Sequence, residues 1–309
     1  MTTVSVLPHR PITIPDQART SGRSSTQKFE EIADVLGPAK FSSNDVMIYR
    51  GDCLKGLSKL PPNLFNLTVT SPPYNIGKEY ERSLPLPEYL RWSGEWISQV
   101  HRVSSNDGAF WLNLGYVPVE GKGKAVPLSY LLWPYIPFFL IQEIVWNYGA
   151  GVAARHSFSP RNEKFLWYVR DQDDYVFNLD RVRDKDVKYP NQKKNGKLKC
   201  NPDGKNPTDV WNFAKVTSGA FRASTERTAH PAQFPIAVIE RVIEACSNEG
   251  DLILDPFMGS GTTAEAAIKL GRKVIGFELR DDYIEIASRR LDNQREVEAI
   301  RDSQVALFG

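Results

Sequence analysis

Hydrophobic and polar positions divide the first half of the chain into short apolar runs and one longer segment with helical spacing. Residues 46–52 (VMIYRGD) and 64–73 (LFNLTVTSPP) are apolar runs that end on turn residues, as strands do. Residues 87–103 place apolar side chains at roughly helical intervals. Three further runs predict buried strands, at 108–115, 138–149 and 164–170.

The same alternation returns after residue 230. A helix is predicted over 235–247, a strand over 251–257, and a second strand over 273–279. A helix with apolar positions follows the glycine-containing loop after 257, and a final helix is expected from 281 to about 298. Alternating strands and helices predict a doubly wound α/β fold with a mostly parallel, twisted sheet.

Composition distinguishes an N-terminal tail from this domain and indicates the cellular setting of the protein. Residues 1–26 are rich in Ser, Thr, Pro and Arg and lack periodicity, which predicts a flexible tail before one domain at 27–309. The net charge is +2, and three widely spaced cysteines with no CxxC favour a reducing, cytoplasmic setting. Four histidines and these cysteines form no zinc-ligand spacing, and the apolar stretch 128–145 carries prolines, Gln and Glu, so neither a metal nor a membrane span is expected.

Residues 171–228 interrupt the α/β pattern. Within them, residues 181–205 carry nine Lys or Arg against three Asp, with Pro, Asn and Gly throughout. Taken alone, the segment is equally consistent with a solvated surface loop. Lysines that neutralise phosphates supply much of the affinity for nucleic acid, so we predict contacts with DNA from Lys188, Lys193, Lys194, Lys197 and Lys199.

The loop 255–263, DPFMGSGTT, lies where open α/β sheets bind ligands, between a strand end and a helix start. Gly259 and Gly261 allow a sharp turn and a close approach of the backbone to a ligand. Glu278 ends the next strand, where its carboxylate suits ribose hydroxyls. The loop lacks the third glycine of the dinucleotide motif and the GK[ST] of a P-loop, which favours a nucleoside ligand without pyrophosphate.

The segment 70–75, TSPPYN, closes the strand before it. Pro72 and Pro73 cannot donate to a sheet, so the chain must leave at the carboxyl edge, where ligands bind. A stiff strand-terminating turn is the simpler explanation of the prolines alone. Paired with a cofactor loop, the Ser71 side chain and the Pro72 carbonyl would accept the two protons of an exocyclic amino group, and Tyr74 would stack on a flipped base.

Three motifs together resemble the amino-methylating DNA methyltransferases of bacterial restriction–modification systems: SPPY at 71–74, DPFMGSG at 255–261 and HPAQFP at 230–235. The catalytic motif comes first and the cofactor loop last, with a basic region between them, which resembles the permuted order of the β group. Glutamine-modifying protein methyltransferases resemble the chain less, because they place the cofactor loop first. The resemblance implies that 71–74 and 257–261 lie side by side at the carboxyl edge of a Rossmann-like sheet.

The resemblance also assigns a cofactor and its residues. S-adenosylmethionine would be the methyl donor and S-adenosylhomocysteine the product, with no metal. Asp52 would lie near the adenine and Phe257 would pack beside it, and His230 and Pro231 would begin the segment at the methionine end. Asp255, Gly259, Gly261, Thr262 and Glu278 complete the expected cofactor site. Asp52 as the end of a strand and His230 as a surface or capping histidine remain the alternatives.

The resemblance further implies double-stranded DNA as substrate, base flipping, and target recognition by the short insertion at 171–228. Serine at position 71 favours N4 of cytosine, with N6 of adenine as the alternative. An inactive DNA-binding homologue and a nicotinamide-dependent oxidoreductase are the other functions considered. A bacterial cytoplasmic protein, nucleoid-associated when bound to DNA, is expected as a monomer or homodimer, with a cognate endonuclease as a possible partner.

Overall fold

The computed structural model describes residues 23–78, 81, 83–149, 151, 153–216, 224 and 226–308, with the backbone alone at 295 and 297–308. Its strands are β1 (Phe41–Ser42), β2 (Val46–Arg50), β3 (Phe65–Thr70), β4 (Ser104–Leu114), β5 (Tyr116–Val119), β6 (Gly123–Pro127), β7 (Phe139–Asn147), β8 (Asn162–Val169), β9 (Lys193–Lys194), β10 (Lys197–Leu198), β11 (Val210–Asn212), β12 (Leu252–Asp255) and β13 (Lys273–Glu278). Its helices are α1 (Ser25–Leu36), α2 (Cys53–Leu57), α3 (Leu86–Val103), α4 (Leu128–Leu132), α5 (Ile236–Cys246), α6 (Thr262–Lys269) and α7 (Asp281–Phe308).

Nine strands form the central sheet in the order β1-β2-β13-β12-β3-β4-β8-β7-β11. The pairings from β2 through β13, β12 and β3 to β4 are all parallel. This mostly parallel sheet confirms the predicted fold class. The strands β4 and β7 each pair antiparallel with β8, which lies between them.

Both faces of the parallel part are buried, which explains its nearly continuous apolar runs. Alternate side chains of β2 enter opposite cores: Val46 and Ile48 pack in one, Met47 and Tyr49 in the other. The first core is completed by α5, α6 and α7, and the second by α1, α2 and α3. The result is a three-layer sandwich with the strand ends open along one edge.

Several boundaries differ from the predicted ones. Of the tail predicted over 1–26, residues 1–22 lie outside the described residues, and the last two begin α1, which Ser24 and Gln27 close with a capping box. The run 138–149 was expected to be a buried strand, which is wrong for the start of β7, where Phe139 is 48% exposed. The final helix continues to Phe308.

The segment 171–228 is more than an insertion, because it returns a strand to the sheet. Its strand β11 pairs parallel with β7, and Trp211 stacks on Trp111 with ring centroids 5.6 Å apart. Periodicity could not reveal a three-residue edge strand of this kind. Among the described residues, no helix has the length and apolar character needed to cross a bilayer.

Candidate active site

The SPPY and DPFMGSG motifs meet because their strands are neighbours. Strand β3 pairs with β12 through Leu67 opposite Ile253, so both chains leave the sheet at the same edge. Thr70 Oγ1, at the end of β3, donates a 2.7 Å hydrogen bond to Asp255 Oδ1, at the end of β12. The two residues are 185 positions apart in the chain. The predicted proximity of the SPPY segment and the glycine loop is therefore confirmed.

A cleft of about 600 Å³ runs along this edge. The half beside the glycine loop, called the cofactor half for its predicted ligand, is lined by Asp52, Phe257, Gly259, Glu278 and Tyr283. The half beside the SPPY loop, called the base half, is lined by Ser71, Tyr74, Asn113, Tyr148, Glu163 and Lys215. A volume in this range suits a ligand of nucleoside size. One open cleft thus contains both motifs.

Glu278 is fixed at the end of β13 by backbone donors. Gly259 N donates to its Oε2 at 2.9 Å and Arg280 N donates to its Oε1 at 3.0 Å. Burial raises the pKa of this carboxyl. Because each carboxylate oxygen has a second acceptor site, Glu278 can still accept from ligand hydroxyls in a defined direction.

Asp255 connects the SPPY loop and the glycine loop through hydrogen bonds of its buried side chain. It is buried, and its Oδ1 accepts from Phe257 N at 3.1 Å as well as from Thr70. Burial raises its pKa to about 6. Its hydrogen bonds point into the protein, so it supports the shape of the site.

The glycines of the loop have different neighbours. Both have positive φ, +52° at Gly259 and +78° at Gly261. A Cβ at Gly259 would lie 3.0 Å from His230 Nε2, beside the cleft. A Cβ at Gly261 would instead lie 2.8 Å from Ala287 Cβ on α7. The expectation that Gly261 leaves space for the ligand is therefore corrected, because its missing side chain makes room for a helix.

Thr262 begins α6 directly after Gly261. Its Oγ1 accepts a 2.8 Å hydrogen bond from Arg290 Nη1, and Arg290 also forms an ion pair with Glu265. Burial lowers the pKa of Arg290, opposed by the Glu265 charge. The hydroxyl of Thr262 thus helps to anchor the loop to α7, a contact that the sequence did not indicate.

The remaining predicted cofactor residues also line the cleft. Asp52 caps α2, accepting from Leu54 N at 2.9 Å. Phe257 packs edge-on against Trp96, with centroids 5.1 Å apart. Pro231 is exposed at the rim. The three residues form a partly apolar wall of the cleft.

His230 lies under the glycine loop as an uncharged ring. Its imidazole packs edge-on against Tyr283 at 4.3 Å, and its Nδ1 accepts from Ala232 N at 3.2 Å. Burial, with a smaller contribution from the Arg280 charge, lowers its pKa to about 4. A neutral ring that accepts at Nδ1 carries its proton at Nε2.

Ser71 and Tyr74 share a hydrogen-bond network with Asn113, at the end of β4. Tyr74 OH donates to Asn113 Oδ1 at 2.5 Å and lies 3.0 Å from Ser71 Oγ, which is itself 3.4 Å from Asn113 Oδ1. Asn113 Nδ2 donates to Lys164 O at 3.2 Å, which fixes the orientation of the amide. Since the amide oxygen accepts only, the lone pairs of Ser71 Oγ are left for another donor.

The loop around the two prolines is stiffened on both sides. Tyr89 OH donates to Pro73 O at 2.8 Å, whereas Pro72 O accepts no hydrogen bond from the described residues. The ring of Tyr74 lies against Gly115, where a Cβ would come within 2.7 Å of the ring. The sequence motif therefore presents one open carbonyl beside one oriented hydroxyl.

An ion pair that the sequence did not reveal lies at the other wall of the cleft. Lys215 Nζ is 2.7 Å from Glu163 Oε1 and 3.8 Å from the centroid of the Tyr148 ring. Glu163 Oε2 lies 3.4 Å from Tyr74 OH. These residues come from β8, from the end of β7 and from the chain after β11, so no local motif connects them.

The five lysines predicted to contact DNA lie on or near a separate hairpin. Strands β9 and β10 pair around Asn195 and Gly196, both with positive φ, as the tight Asn-Gly hairpin turn requires. All five lysines are exposed, and none of them lines the cleft. Within the described residues, no group of His, Cys, Asp and Glu is arranged to hold a metal ion.

Comparisons with known proteins agree with this arrangement. Residues 65–289 match the family model of N6/N4 methyltransferases, described as DNA methylase. Type II methyltransferase M.ScaI of Streptomyces caespitosus is 63% identical over 271 residues, covering 88% of this chain and 89% of that protein. DNA adenine methyltransferase YhdJ of Escherichia coli (strain K12) is 32% identical, covering 82% of this chain and 85% of its own length.

Solved structures share the fold. The cytosine-N4-specific PvuII DNA methyltransferase superposes with a TM-score of 0.62 at 21% identity, covering 79% of this chain and 85% of its own. The complex of M1.HpyAVI with S-adenosylmethionine gives a TM-score of 0.53 at 23% identity, covering 80% and 98%. At these identities the likeness concerns the fold.

Proposed function

The chain belongs to the DNA methylase family of N6/N4 amino-methyltransferases, and within it we propose that this protein methylates N4 of cytosine in duplex DNA. As a family member it uses S-adenosylmethionine and acts on DNA, in the type II restriction–modification class of its relatives. One observation carries methyl transfer to an amino group: the SPPY loop and the glycine loop share a cleft, joined by the Thr70–Asp255 hydrogen bond. The choice of cytosine rests on Ser71.

The cofactor half of the cleft fits S-adenosylmethionine. Glu278, oriented by two backbone N–H groups, would accept from the ribose hydroxyls, and Phe257 would pack on the adenine beside Asp52. Gly259 leaves the backbone open beside His230, at the end where the methionine part would lie. When bound there, the cofactor would supply an electrophilic methyl group.

The chain's own contribution is to orient the amino group. Its lone pair is delocalised into the ring, so the nitrogen is a poor nucleophile. Holding its two protons out of the plane of the ring frees the lone pair for attack. Pro72 O and Ser71 Oγ would accept hydrogen bonds from the two protons, and the proton that the nitrogen loses on methylation would pass to solvent in the open cleft. Preorganised acceptors of this kind lower the barrier without rearranging during the reaction.

Cytosine is proposed over adenine because Ser71 occupies the first catalytic position. Adenine N6 is the second candidate, favoured by the 32% identity to an adenine methyltransferase. Both reactions need only acceptors for amino protons, so the acceptor pair by itself suits either base.

The target base must leave the helix to reach this cleft. Tyr74, held by Asn113 and Gly115, would stack on the flipped base. The exposed lysines of the β9–β10 hairpin would contact phosphates, with residues 171–228 as the target-recognition region. An endonuclease that recognises the same DNA sequence is the proposed partner in the cell.

Methyl transfer to duplex DNA tests the function directly. After incubation with labelled S-adenosylmethionine, nucleosides are separated and identified by mass spectrometry, and we expect N4-methylcytosine. N6-methyladenine alone would establish the second candidate. Stabilisation against heat by S-adenosylhomocysteine and not by NAD, with no transfer to any duplex, would identify an inactive DNA-binding homologue.

A further inference from the structure

The ion pair between Glu163 and Lys215 occupies the base half of the cleft. Their side chains are 19% and 25% exposed, and Lys215 Nζ is held both by Glu163 Oε1 at 2.7 Å and over the Tyr148 ring at 3.8 Å. Removing two charges from water is costly, and a partly buried pair is weak evidence for added stability. Its place beside the catalytic loop favours a role in binding.

The pair is connected to the catalytic loop through Tyr74. Glu163 Oε2 lies 3.4 Å from Tyr74 OH, and the same hydroxyl donates to Asn113 and lies 3.0 Å from Ser71 Oγ. The ammonium is thus fixed relative to the acceptor that would hold the amino group. Ser71 and Lys215 line the same cleft, so a base bound by its amino group at Ser71 can present its polar edge to the ammonium.

The chemistry of that edge decides what a fixed ammonium can recognise. Cytosine has two acceptors beside its amino group, N3 and O2, whereas adenine has N1 and then a carbon-bound hydrogen. An ammonium has three N–H donors, and the bond to Glu163 uses one of them. We propose that Lys215 is a specificity-determining residue that donates to N3 and O2 of the flipped cytosine, and that Glu163 is the residue that positions it.

This inference rests on the proposed cytosine N4 activity and deepens it, because it names N3 and O2 as the base atoms that the protein recognises. A lysine that merely contacts phosphate would contribute equally to every base. A lysine that only supports the fold would affect stability. The two acceptor atoms of the base therefore provide the discriminating test.

Single-turnover methylation should be measured on two duplexes, one with cytosine and one with 3-deazacytosine at the target position. The analogue keeps the amino group and O2 and replaces N3 by a C–H group. Wild-type protein should methylate it about ten- to hundredfold more slowly, as expected for loss of a hydrogen bond to a charged donor. Lys215→Met should lose more than this factor on cytosine, where it removes the donor to both N3 and O2, and less on the analogue, where only the bond to O2 can be lost. The ratio of the two rates should therefore fall towards one. Because every protein is compared on the same duplexes, the weaker pairing of the analogue cancels.

A matched control is available on β8. Lys164 pairs with Glu143 at 3.4 Å and is 22% exposed, but it does not line the cleft. Lys164→Met should leave the ratio of the two rates as in wild type. Glu163→Gln should reduce that ratio in part, because it releases the ammonium without removing it.

Failure of the cytosine assignment and failure of the role of Lys215 give different results. Wild-type protein that methylates adenine alone overturns the cytosine assignment, whatever the variants do. Wild-type methylation of cytosine, combined with an unchanged rate ratio in Lys215→Met, overturns the role of Lys215. A fall that is equal on both duplexes and vanishes at high salt would make Lys215 a phosphate contact, and that too overturns the proposal.

Discussion

The carboxyl edge of the sheet and the basic segment 181–205 are built in opposite ways. At the edge, the ends of β3, β12 and β13 are tied by hydrogen bonds between distant residues, such as Thr70 to Asp255 and Gly259 to Glu278. In the basic segment, the β9–β10 hairpin is closed by a local turn, and residues 191–199 are all exposed. Its attachment includes the bridge between Asp184 and Lys205.

This difference suits the two roles that we propose for these regions. Orienting an amino group demands atoms held to a fraction of an ångström, which only a packed, cross-linked edge provides. Neutralising phosphates demands positive charge at roughly the right place, which an exposed hairpin supplies. Substitutions at the edge should therefore alter rate or folding, and those of the exposed hairpin lysines should alter DNA affinity alone.

The largest effect is expected at Ser71. Ser71→Ala removes one acceptor while the main-chain carbonyl of Pro72 remains. Loss of one oriented group of this kind costs about 10²–10³ in rate. Single-turnover methylation measures the loss, and a parallel titration should find S-adenosylmethionine affinity little changed. Transfer at the wild-type rate would remove Ser71 from the catalytic role.

Two glycines with the same φ separate tertiary packing from backbone strain. Gly261 and Gly196 both have φ of +78°, but a Cβ at Gly261 would lie 2.8 Å from Ala287 Cβ, whereas one at Gly196 would meet nothing within 4 Å. Gly196→Ala should cost about 1–2 kcal/mol for the left-handed backbone. Gly261→Ala should cost about 1–3 kcal/mol more because of overpacking. Denaturant unfolding measures both, and equal losses would contradict the contrast between the regions.

The buried histidine of the edge should make stability depend on pH. The pKa of His230 is about 4 in the folded protein against an ordinary value of 6.5. The unfolded chain therefore binds the proton first as the pH falls, and stability is lost between pH 6.5 and 4. His230→Asn keeps an acceptor for Ala232 N, so wild type should lose up to about 2 kcal/mol more than this variant between pH 7 and pH 5.

Unfolding in urea at the two pH values provides the measurement. Asp255, whose pKa is raised, is present in both proteins, and its opposite contribution cancels in the comparison. His156 is exposed, so His156→Asn serves as the control. This variant should lose as much stability as wild type between the two pH values. An equal loss of stability in wild type and His230→Asn would show that His230 is not the titrating group.

The smallest effect on folding is expected on the hairpin. Reversing Lys193 and Lys194 to Glu should lower DNA affinity about tenfold and flatten its salt dependence by about one unit per lost phosphate contact. Unfolding free energy should stay within about 0.5 kcal/mol of wild type. The same reversal at Lys122 and Lys124, on the β5–β6 hairpin, controls for net charge. An unchanged salt slope would make the basic segment an ordinary solvated surface.

The sequence by itself determined the fold class and the place of the chemistry. Apolar runs that end on prolines or glycines identify the strands and their carboxyl ends, and parallel strands bring those ends to one edge. The SPPY and DPFMGSG motifs therefore predicted their own proximity across 185 residues. These features are local in the chain, so periodicity and turn chemistry placed each motif at a strand end, and the family resemblance implied that the two meet.

Only the tertiary structure decided which side chains complete the site. Asn113 orients Ser71 and Tyr74 from β4, and Glu163 and Lys215 meet across the cleft from distant segments. It also decided that Gly261 makes room for α7 and that β11 joins the sheet. The physical reason is that a polar contact or a close approach depends on two distant backbones at once, whereas a sequence pattern reports one element at a time.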